Sequence, residues 1–106
     1  MPQAKTVTGV NFFYSGSLNT GLVVHKGTGV RISVEIIRFI RGEIDRRSPV
    51  LMGACRDNPA KHSVGEALVA TLGGSPQYLS YVVPLLMEEG FCTVNGRRRI
   101  VISRQN

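Results

Sequence analysis

Residues able to do acid–base chemistry are concentrated in one polar stretch, CRDNPAKH, at positions 55–62. A loop there could bring the carboxylate of Asp57, the amine of Lys61 and the imidazole of His62 together. The same stretch has a simpler interpretation, because Asp57-Asn58-Pro59 is typical of a turn. No nucleophile elbow accompanies it, and the glycines of TGLVVHKGTG lack the strand–helix context of a phosphate loop. We therefore expect no enzyme and assign no catalytic residue.

Metal ligation is the second chemistry to consider, because the chain contains four soft or borderline ligands. They are Cys55, Cys92, His25 and His62. None of them forms a local pair such as C-x-x-C or H-x-x-x-H, so the metal hypothesis depends only on the presence of four possible ligands in the chain. The sequence also lacks the features of an exported protein, so both cysteines are interpreted as buried thiols rather than a disulfide. We expect no metal and no other cofactor.

Arginine is the third candidate, because guanidinium groups bind phosphate. Thirteen Lys and Arg against seven Asp and Glu give a net charge of +6 and an isoelectric point near 10.0. This basic protein therefore suits a polyanionic partner. No Lys or Arg lies between His62 and Gly96, and the arginines cluster on either side of that gap. They are Arg38, Arg41, Arg46 and Arg47 in a first helix, Arg56 in the loop, and Arg97, Arg98, Arg99 and Arg104 near the end.

The chain length of 106 residues and the 42% apolar content suit one domain with a hydrophobic core. No apolar run approaches the ~18–20 residues of a membrane span. The segment MPQAKTVTG lacks the pattern of a signal peptide. We expect a cytoplasmic protein with no membrane partner.

Three helices must position these side chains, at about 33–46, 63–73 and 75–89. Ser33 can cap the first, whose isoleucines lie on one side while Glu35 and Asp45 face water beside the arginines. Ser63 and Glu66 form a capping box for the second, and Gly73-Gly74 ends it. Ser75-Pro76 suits the start of the third, and Gly90 ends it. Helical spacing predicts the buried faces Val64, Ala67, Leu68 and Leu72, and then Leu79, Val82, Val83 and Leu86.

Strand patterns flank the helices. Residues 1–30 are predicted to form a β-hairpin extension that begins at Thr6, with 1–5 frayed and Val10, Phe12 and Tyr14 on one face. The hairpin would be a lid on the core or an arm for dimerisation. A short strand is expected within 50–54. At the other end, Asn95-Gly96 predicts a two-residue type I′ turn between strands at 91–94 and 99–103.

This order of elements resembles the winged helix-turn-helix family over about residues 32–103. The SPQYLS start of the third helix, its LLMEEGF end and the hairpin FCTVNGRRRIVIS carry the resemblance. It implies an α+β fold, namely a three-helix winged helix-turn-helix with a C-terminal β-hairpin wing and an added N-terminal β-hairpin. The winged helix domain would be 31–106, and 1–30 would extend the same domain.

The resemblance also implies sequence-specific binding of double-stranded DNA in transcription regulation, by a homodimer. In the family the third helix enters the major groove, while the wing reaches the adjacent backbone. A glutamine can pair with adenine, and hydroxyl groups can bond phosphate. The DNA-binding residues so implied are Ser75, Gln77, Tyr78, Ser80, Tyr81, Arg97, Arg98 and Arg99.

The third helix departs from the family pattern because it carries no Lys or Arg and has Glu88 and Glu89 near its end. The alternative is a winged-helix module that binds another protein, through a surface of Tyr78, Tyr81, Met87 and an outward Pro84. Charge placement separates the two hypotheses. DNA is favoured if Arg38, Arg41 and the wing arginines share one face with the third helix, and a protein partner is favoured if they scatter.

Overall fold

The computed structural model describes residues 2–97 and 99–105, which form an α+β fold with three α-helices and two antiparallel sheets. The first four strands are β1 Gln3–Lys5, β2 Asn11–Ser17, β3 Gly21–Val24 and β4 Val30–Ile32. Then follow α1 Val34–Arg47, β5 Val50–Leu51, α2 Val64–Leu72, a 3₁₀ turn Pro76–Tyr78, α3 Leu79–Glu88, β6 Cys92–Asn95 and β7 Val101–Arg104. Within this described part, no helix combines the length and apolar character needed to cross a membrane.

The three predicted helices are confirmed, and their starts show why local sequence specified them. Ser33 Oγ accepts a hydrogen bond from the Ile36 amide at 3.3 Å, and Ser63 Oγ accepts one from the Glu66 amide at 3.1 Å. In a capping box the Glu66 carboxylate would accept a hydrogen bond from the N–H of the cap residue, Ser63. It accepts instead from the N–H of the preceding residue, His62, at 2.9 Å. Gly73 ends α2 in the left-handed region, at φ 66°. Side chains thus satisfy amides that a helix start leaves open.

The third helix begins with a 3₁₀ turn, in which Ser75 Oγ accepts a hydrogen bond from the Gln77 amide at 3.3 Å. Its predicted buried face is confirmed: Leu79, Val82, Val83 and Leu86 are completely buried. The expectation of an outward Pro84 is wrong, because Pro84 is one of the buried residues of α3. Six of the ten residues of α3 are therefore buried.

The N-terminal extension is a four-stranded antiparallel sheet in the order β1-β2-β3-β4, rather than a hairpin. The predicted hairpin is its centre, formed by β2 and β3, with Tyr14 opposite Val24. Residues 3–5, expected to be frayed, pair with 11–13, and Ala4 is buried opposite Phe12. Strand β4 covers the other edge. Strand edges expose unpaired amide and carbonyl groups, so the flanking segments complete the hydrogen bonding of the hairpin.

The second sheet has the order β5-β7-β6 and joins the short strand after α1 to the C-terminal hairpin. The predicted strand within 50–54 is confined to Val50–Leu51. The predicted two-residue turn is wrong, because Asn95 pairs with Val101 and the connection spans 96–100. Asn95 Oδ1 accepts a hydrogen bond from the Gly96 amide at 2.9 Å, and Gly96 has φ 95°. The Asn-Gly pair therefore opens a wider loop, which Gly96 allows by taking positive φ.

One hydrophobic core joins both sheets to the helices. It includes Phe12 and Val24 from the first sheet, Ile40 from α1 and Ile102 from β7. Leu72, predicted to be buried, is 46% exposed at the last turn of α2.

The segment after β5 approaches the first turn of α2 so closely that two glycines are needed. The Gly65 amide donates to the Met52 carbonyl at 3.0 Å, and a Cβ on Gly65 would overlap the carbonyl oxygen of Gly53. Gly53 itself has φ 66° and lies against Ser63. This contact fixes where α2 starts and where the 53–62 loop leaves the core.

Candidate functional site

The start of the third helix opens onto a surface cavity of about 800 Å³, here called the cationic cavity. Lys26 reaches it from the segment that joins β3 to β4, Arg31 from β4, and Arg56 from the 53–62 loop. Ser75, Gln77, Tyr78 and Tyr81 complete its wall. The three cations and Gln77 are exposed, whereas Ser75 and both tyrosines are half-buried. The neutral helix start is thus surrounded by cations supplied by other elements.

A second cavity of about 360 Å³, here called the central cavity, lies between the first sheet and α3. It is lined by residues from 6–13, by His25 and Lys26, and by Gln77, Ser80 and Tyr81. The Tyr81 ring packs edge-on against Phe12, with centroids 5.1 Å apart and an interplanar angle of 73°. His25 is held at the rim by a 3.2 Å hydrogen bond between its Nε2 and Ser15 Oγ. Its walls therefore combine aromatic, amide and hydroxyl groups.

Arg97 and Arg99, two arginines of the predicted wing, line a third cavity of about 390 Å³, here called the wing cavity. Arg97 and Arg99 are both exposed and share it with Cys55 and Asn58 of the 53–62 loop and with Thr8. Arg98, the remaining arginine of the predicted site, lies outside the described residues. Of the eight residues predicted to bind DNA, the seven described ones all line one or more of the three cavities.

The three cavities adjoin one another. Lys26, Gln77 and Tyr81 line both the cationic and the central cavity, and Thr8 lines both the central and the wing cavity. No Asp or Glu occurs among the described residues that line them. The result is one surface, here called the basic surface, on which five cations face solvent without a carboxylate in its walls. They are Lys26, Arg31, Arg56, Arg97 and Arg99.

Arginines of the first helix are engaged elsewhere. Arg41 pairs with Glu89 at 2.5 Å, and Arg47 pairs at 2.9 Å with Glu43, a buried carboxylate that Arg46 also contacts. Arg38 is exposed on α1 and lines none of the three cavities. The expected common face is not assembled. Arg38 and Arg41 line none of the three cavities, and the cavity of Arg97 and Arg99 contains no residue of the third helix and joins the central cavity only through Thr8.

Sequence reasoning missed Lys26 and Arg31 as members of this site. Arg31 is the outward residue of β4, between half-buried Val30 and buried Ile32. The alternation of side chains along a strand predicts that Arg31 is exposed but does not predict which element it lies near. Its position beside Gln77 follows from the packing of the first sheet on α3, which no local pattern encodes. Arg56 was visible only as part of a basic cluster in the loop.

The other candidate chemistries are not assembled. Asp57, Lys61 and His62 are exposed, and within the described residues no hydrogen bond or ion pair joins their side chains. The described part of the chain also holds no cluster of three His, Cys, Asp or Glu side chains that could bind a metal. Cys92 is buried, and desolvation raises the pKa of its thiol from 9.0 to about 11. Cys55 is exposed, contrary to the prediction of two buried thiols.

Comparisons with protein families, with curated proteins and with solved structures gave no match to this chain.

Proposed function

We propose that this chain is a winged helix-turn-helix protein that binds double-stranded DNA in a sequence-specific manner and acts in transcription regulation. The observation that carries the proposal is the basic surface, where Lys26, Arg31 and Arg56 surround the exposed start of the third helix. DNA affinity depends largely on cations that displace the counterions of phosphates. The neutral third helix therefore needs neighbouring elements to supply those cations, and here it has them.

Topology supports the fold half of the proposal. After α1 come a short strand, α2, α3 and a hairpin, and the strands form one sheet in the order β5-β7-β6. The loop at 96–100 would be the wing, carrying Arg97 and Arg99 at exposed positions. Winged-helix proteins use this arrangement to place a helix in the major groove and a loop on the adjacent backbone.

Burial limits which part of the third helix could enter a groove. The body of α3 is packed against the first sheet, so the accessible part is its start, at Gln77, Ser80 and Tyr81. Recognition helices contact base edges mainly through their N-terminal residues. The proposal therefore assigns base contacts to Gln77, and phosphate contacts to Arg31, Arg56 and the wing.

Titration of a mixed-sequence duplex at two or more salt concentrations tests the proposal. Arg31→Ala and Arg56→Ala should each weaken binding to all duplexes and reduce the slope of log affinity against log salt by about one unit. Arg38→Ala is the matched control, because it removes the same charge from an exposed position that lines none of the three cavities. Equal slopes for all three variants would refute the assignment of the basic surface.

Sequence readout needs its own test, on a preferred site selected from randomised duplexes. Gln77→Ala should lower affinity for that site by about 1–3 kcal/mol and affect mixed-sequence duplex little, because a base contact carries sequence information. Gln77 is exposed, so the variant should fold normally. Unchanged preference would remove Gln77 from the reading role.

A protein partner is the second candidate, favoured by apolar exposure at the central cavity. Val10 is 62% exposed and Phe13 is 47% exposed, and both line that cavity with Tyr81. Tyrosine and phenylalanine are enriched at the anchors of protein interfaces. For this function, Tyr81→Ala should cost about 2 kcal/mol or more toward the partner, and duplex binding should be weak and unspecific.

The proposal includes a homodimer, because a two-fold protein matches two half-sites on DNA. Sedimentation of the free chain and of its complex with duplex would measure this. A complex with one chain per preferred site would contradict it.

A further inference from the structure

The central cavity has the size of a small-molecule site. Its volume of about 360 Å³ lies within the roughly 300–1,000 Å³ typical of such sites. Most of its wall comes from β2, from the loop between β1 and β2 and from the residues after β3, and the start of the third helix contributes Gln77, Ser80 and Tyr81. Gln77 is the lining residue to which the proposed function assigns a base contact, and a base contact by an exposed side chain requires no cavity.

An aromatic ring with a fixed orientation forms part of the wall. Tyr81 is half-buried and is held edge-on against the buried ring of Phe12. Phe12 thereby restricts rotation of the Tyr81 ring, which reduces the entropy lost when a planar ligand stacks on it. Nucleobases stack on such rings with useful affinity whatever their identity, because every base has a π-face.

The polar groups of the cavity suit the edge of an uncharged base. Asn11 and Gln77 each offer an amide with donors and an acceptor, and Ser80 adds a hydroxyl. Base edges present the same mixture of donors and acceptors. The described lining contains no carboxylate that would repel a phosphate attached to that base.

Arg31 and Arg56 lie outside this cavity, and Lys26 lines it. Lys26 and Tyr81 line both this cavity and the cationic cavity, which Arg31 and Arg56 also line. A nucleotide has the same division, with an uncharged planar base beside an anionic phosphate. We propose that the central cavity receives one unpaired nucleobase of a bound DNA strand, while Lys26, Arg31 and Arg56 hold its backbone. This inference rests on the proposed function and adds a site that a fully paired duplex would leave empty.

Three probes of one sequence test the inference: a paired duplex, the same duplex with one extra unpaired 2-aminopurine, and the single strand carrying that 2-aminopurine. The bulged duplex should bind about tenfold more tightly than the paired duplex, given the usual strength of base stacking on aromatic side chains. Binding should also quench 2-aminopurine fluorescence, because the base stacks on Tyr81.

Two substitutions at Tyr81 form a matched pair. Tyr81→Leu should abolish the quenching and bring the bulged-to-paired affinity ratio near one, because it removes the ring. Tyr81→Phe should retain the ratio, because it keeps the ring. Because Tyr81 packs on Phe12, its replacement also changes packing, and Asn11→Ala is therefore used as a second variant. Asn11 is exposed and, of the three cavities, lines only the central one. Asn11→Ala should also lower the ratio of bulged-duplex to paired-duplex affinity.

The outcomes separate this inference from the proposed function. Equal affinity for the bulged and paired duplexes overturns the base site and leaves duplex binding intact. Tight, quenched binding of the single strand without duplex binding refutes the proposed function and keeps the base site. Absence of binding to all three probes refutes both.

Discussion

The guanidinium carbon of Arg104 lies 4.2 Å from the centroid of the Phe91 ring. Arg41 contacts the same ring at 4.8 Å, and each arginine is also paired, Arg104 with Asp45 at 3.0 Å and Arg41 with Glu89 at 2.5 Å. Phe91 thus connects α1 to the last strand through two cations. Because these two arginines are committed to the fold, they are not free to serve a phosphate backbone.

Replacing Phe91 with Leu should lower the free energy of unfolding by about 1 kcal/mol, since partly exposed cation–π contacts contribute about that much. Urea unfolding followed by circular dichroism measures it. Phe13→Leu is the control, because Phe13 is 47% exposed and stacks with no cation among the described residues. Equal effects of the two substitutions would show that the stacked arginines contribute nothing.

Substitution of Gly65 with Ala should destabilise the fold by about 1–3 kcal/mol, because overpacking forces backbone to move. The added methyl group would overlap the Gly53 carbonyl oxygen, which belongs to the main chain and has no rotamer to escape into. Gly42→Ala is the matched control within α1, where a Cβ meets no atom within 4 Å. That variant should stabilise the protein by about 0.5–1 kcal/mol, and thermal melting of both variants checks the opposite signs.

Neutralising the buried carboxylate of Glu43 should cost about 1.5–3 kcal/mol, since hydrogen bonds to charged groups contribute that much. In Glu43→Gln, Arg46 and Arg47 lose the anion that they share, and Arg47 also bonds the His62 carbonyl before α2. Asp45→Asn, at an exposed ion pair, should cost less than about 1 kcal/mol. A larger loss at Asp45 than at Glu43 in urea unfolding would contradict this ranking.

The two thiols should react at very different rates. Cys55 is exposed and should be alkylated readily by iodoacetamide at pH 8, whereas Cys92 is buried with its pKa raised to about 11 and should react only after unfolding. The raised pKa also means that the folded state holds the thiol proton more tightly than the unfolded chain does. Stability should therefore fall as pH rises from about 9 to about 11.

Cys92→Ala supplies the control for both measurements. It should remove the alkylation that appears on unfolding, and its stability should fall less steeply over the same pH range. Rapid modification of Cys92 in the folded protein, identified by peptide mapping, would show that β6 is open to solvent.

Local signals predicted the helices well because caps and apolar spacing act within a few residues of one another. Ser33, Ser63 and Ser75 all accept the amide hydrogen bonds expected of helix starts. The local pattern at Asn95-Gly96 predicted a two-residue turn, and this prediction was wrong, because the pairing of Asn95 with Val101 sets a longer loop. Strand register depends on the partner strand and on the face that must be buried, and a dipeptide contains neither.

The candidate site was predictable only in part, and for the same reason. Helical spacing predicted the exposure of Gln77 correctly, whereas Tyr78, Ser80 and Tyr81, also expected to face outward, are half-buried. The arginines at 97–99 were predicted from their adjacency in sequence. Lys26 and Arg31 are about 50 positions away from Gln77 along the chain and reach it because the first sheet packs on α3. Such a contact depends on long-range packing, which residue spacing in a single sequence does not report.

Under the proposed function, burial of α3 between the first sheet and β6 restricts how the chain could acquire a new DNA target. Its six buried residues are held by packing on several sides, so substitutions there would be tested first by folding and only then by binding. Gln77 and Ser80 are not among these buried residues, and Lys26 and Arg31 are exposed. Substitutions at these four positions could therefore change binding without first disturbing the core. Diversification of specificity should therefore be concentrated at the helix start and in the β3–β4 connection, and the body of α3 should stay nearly constant.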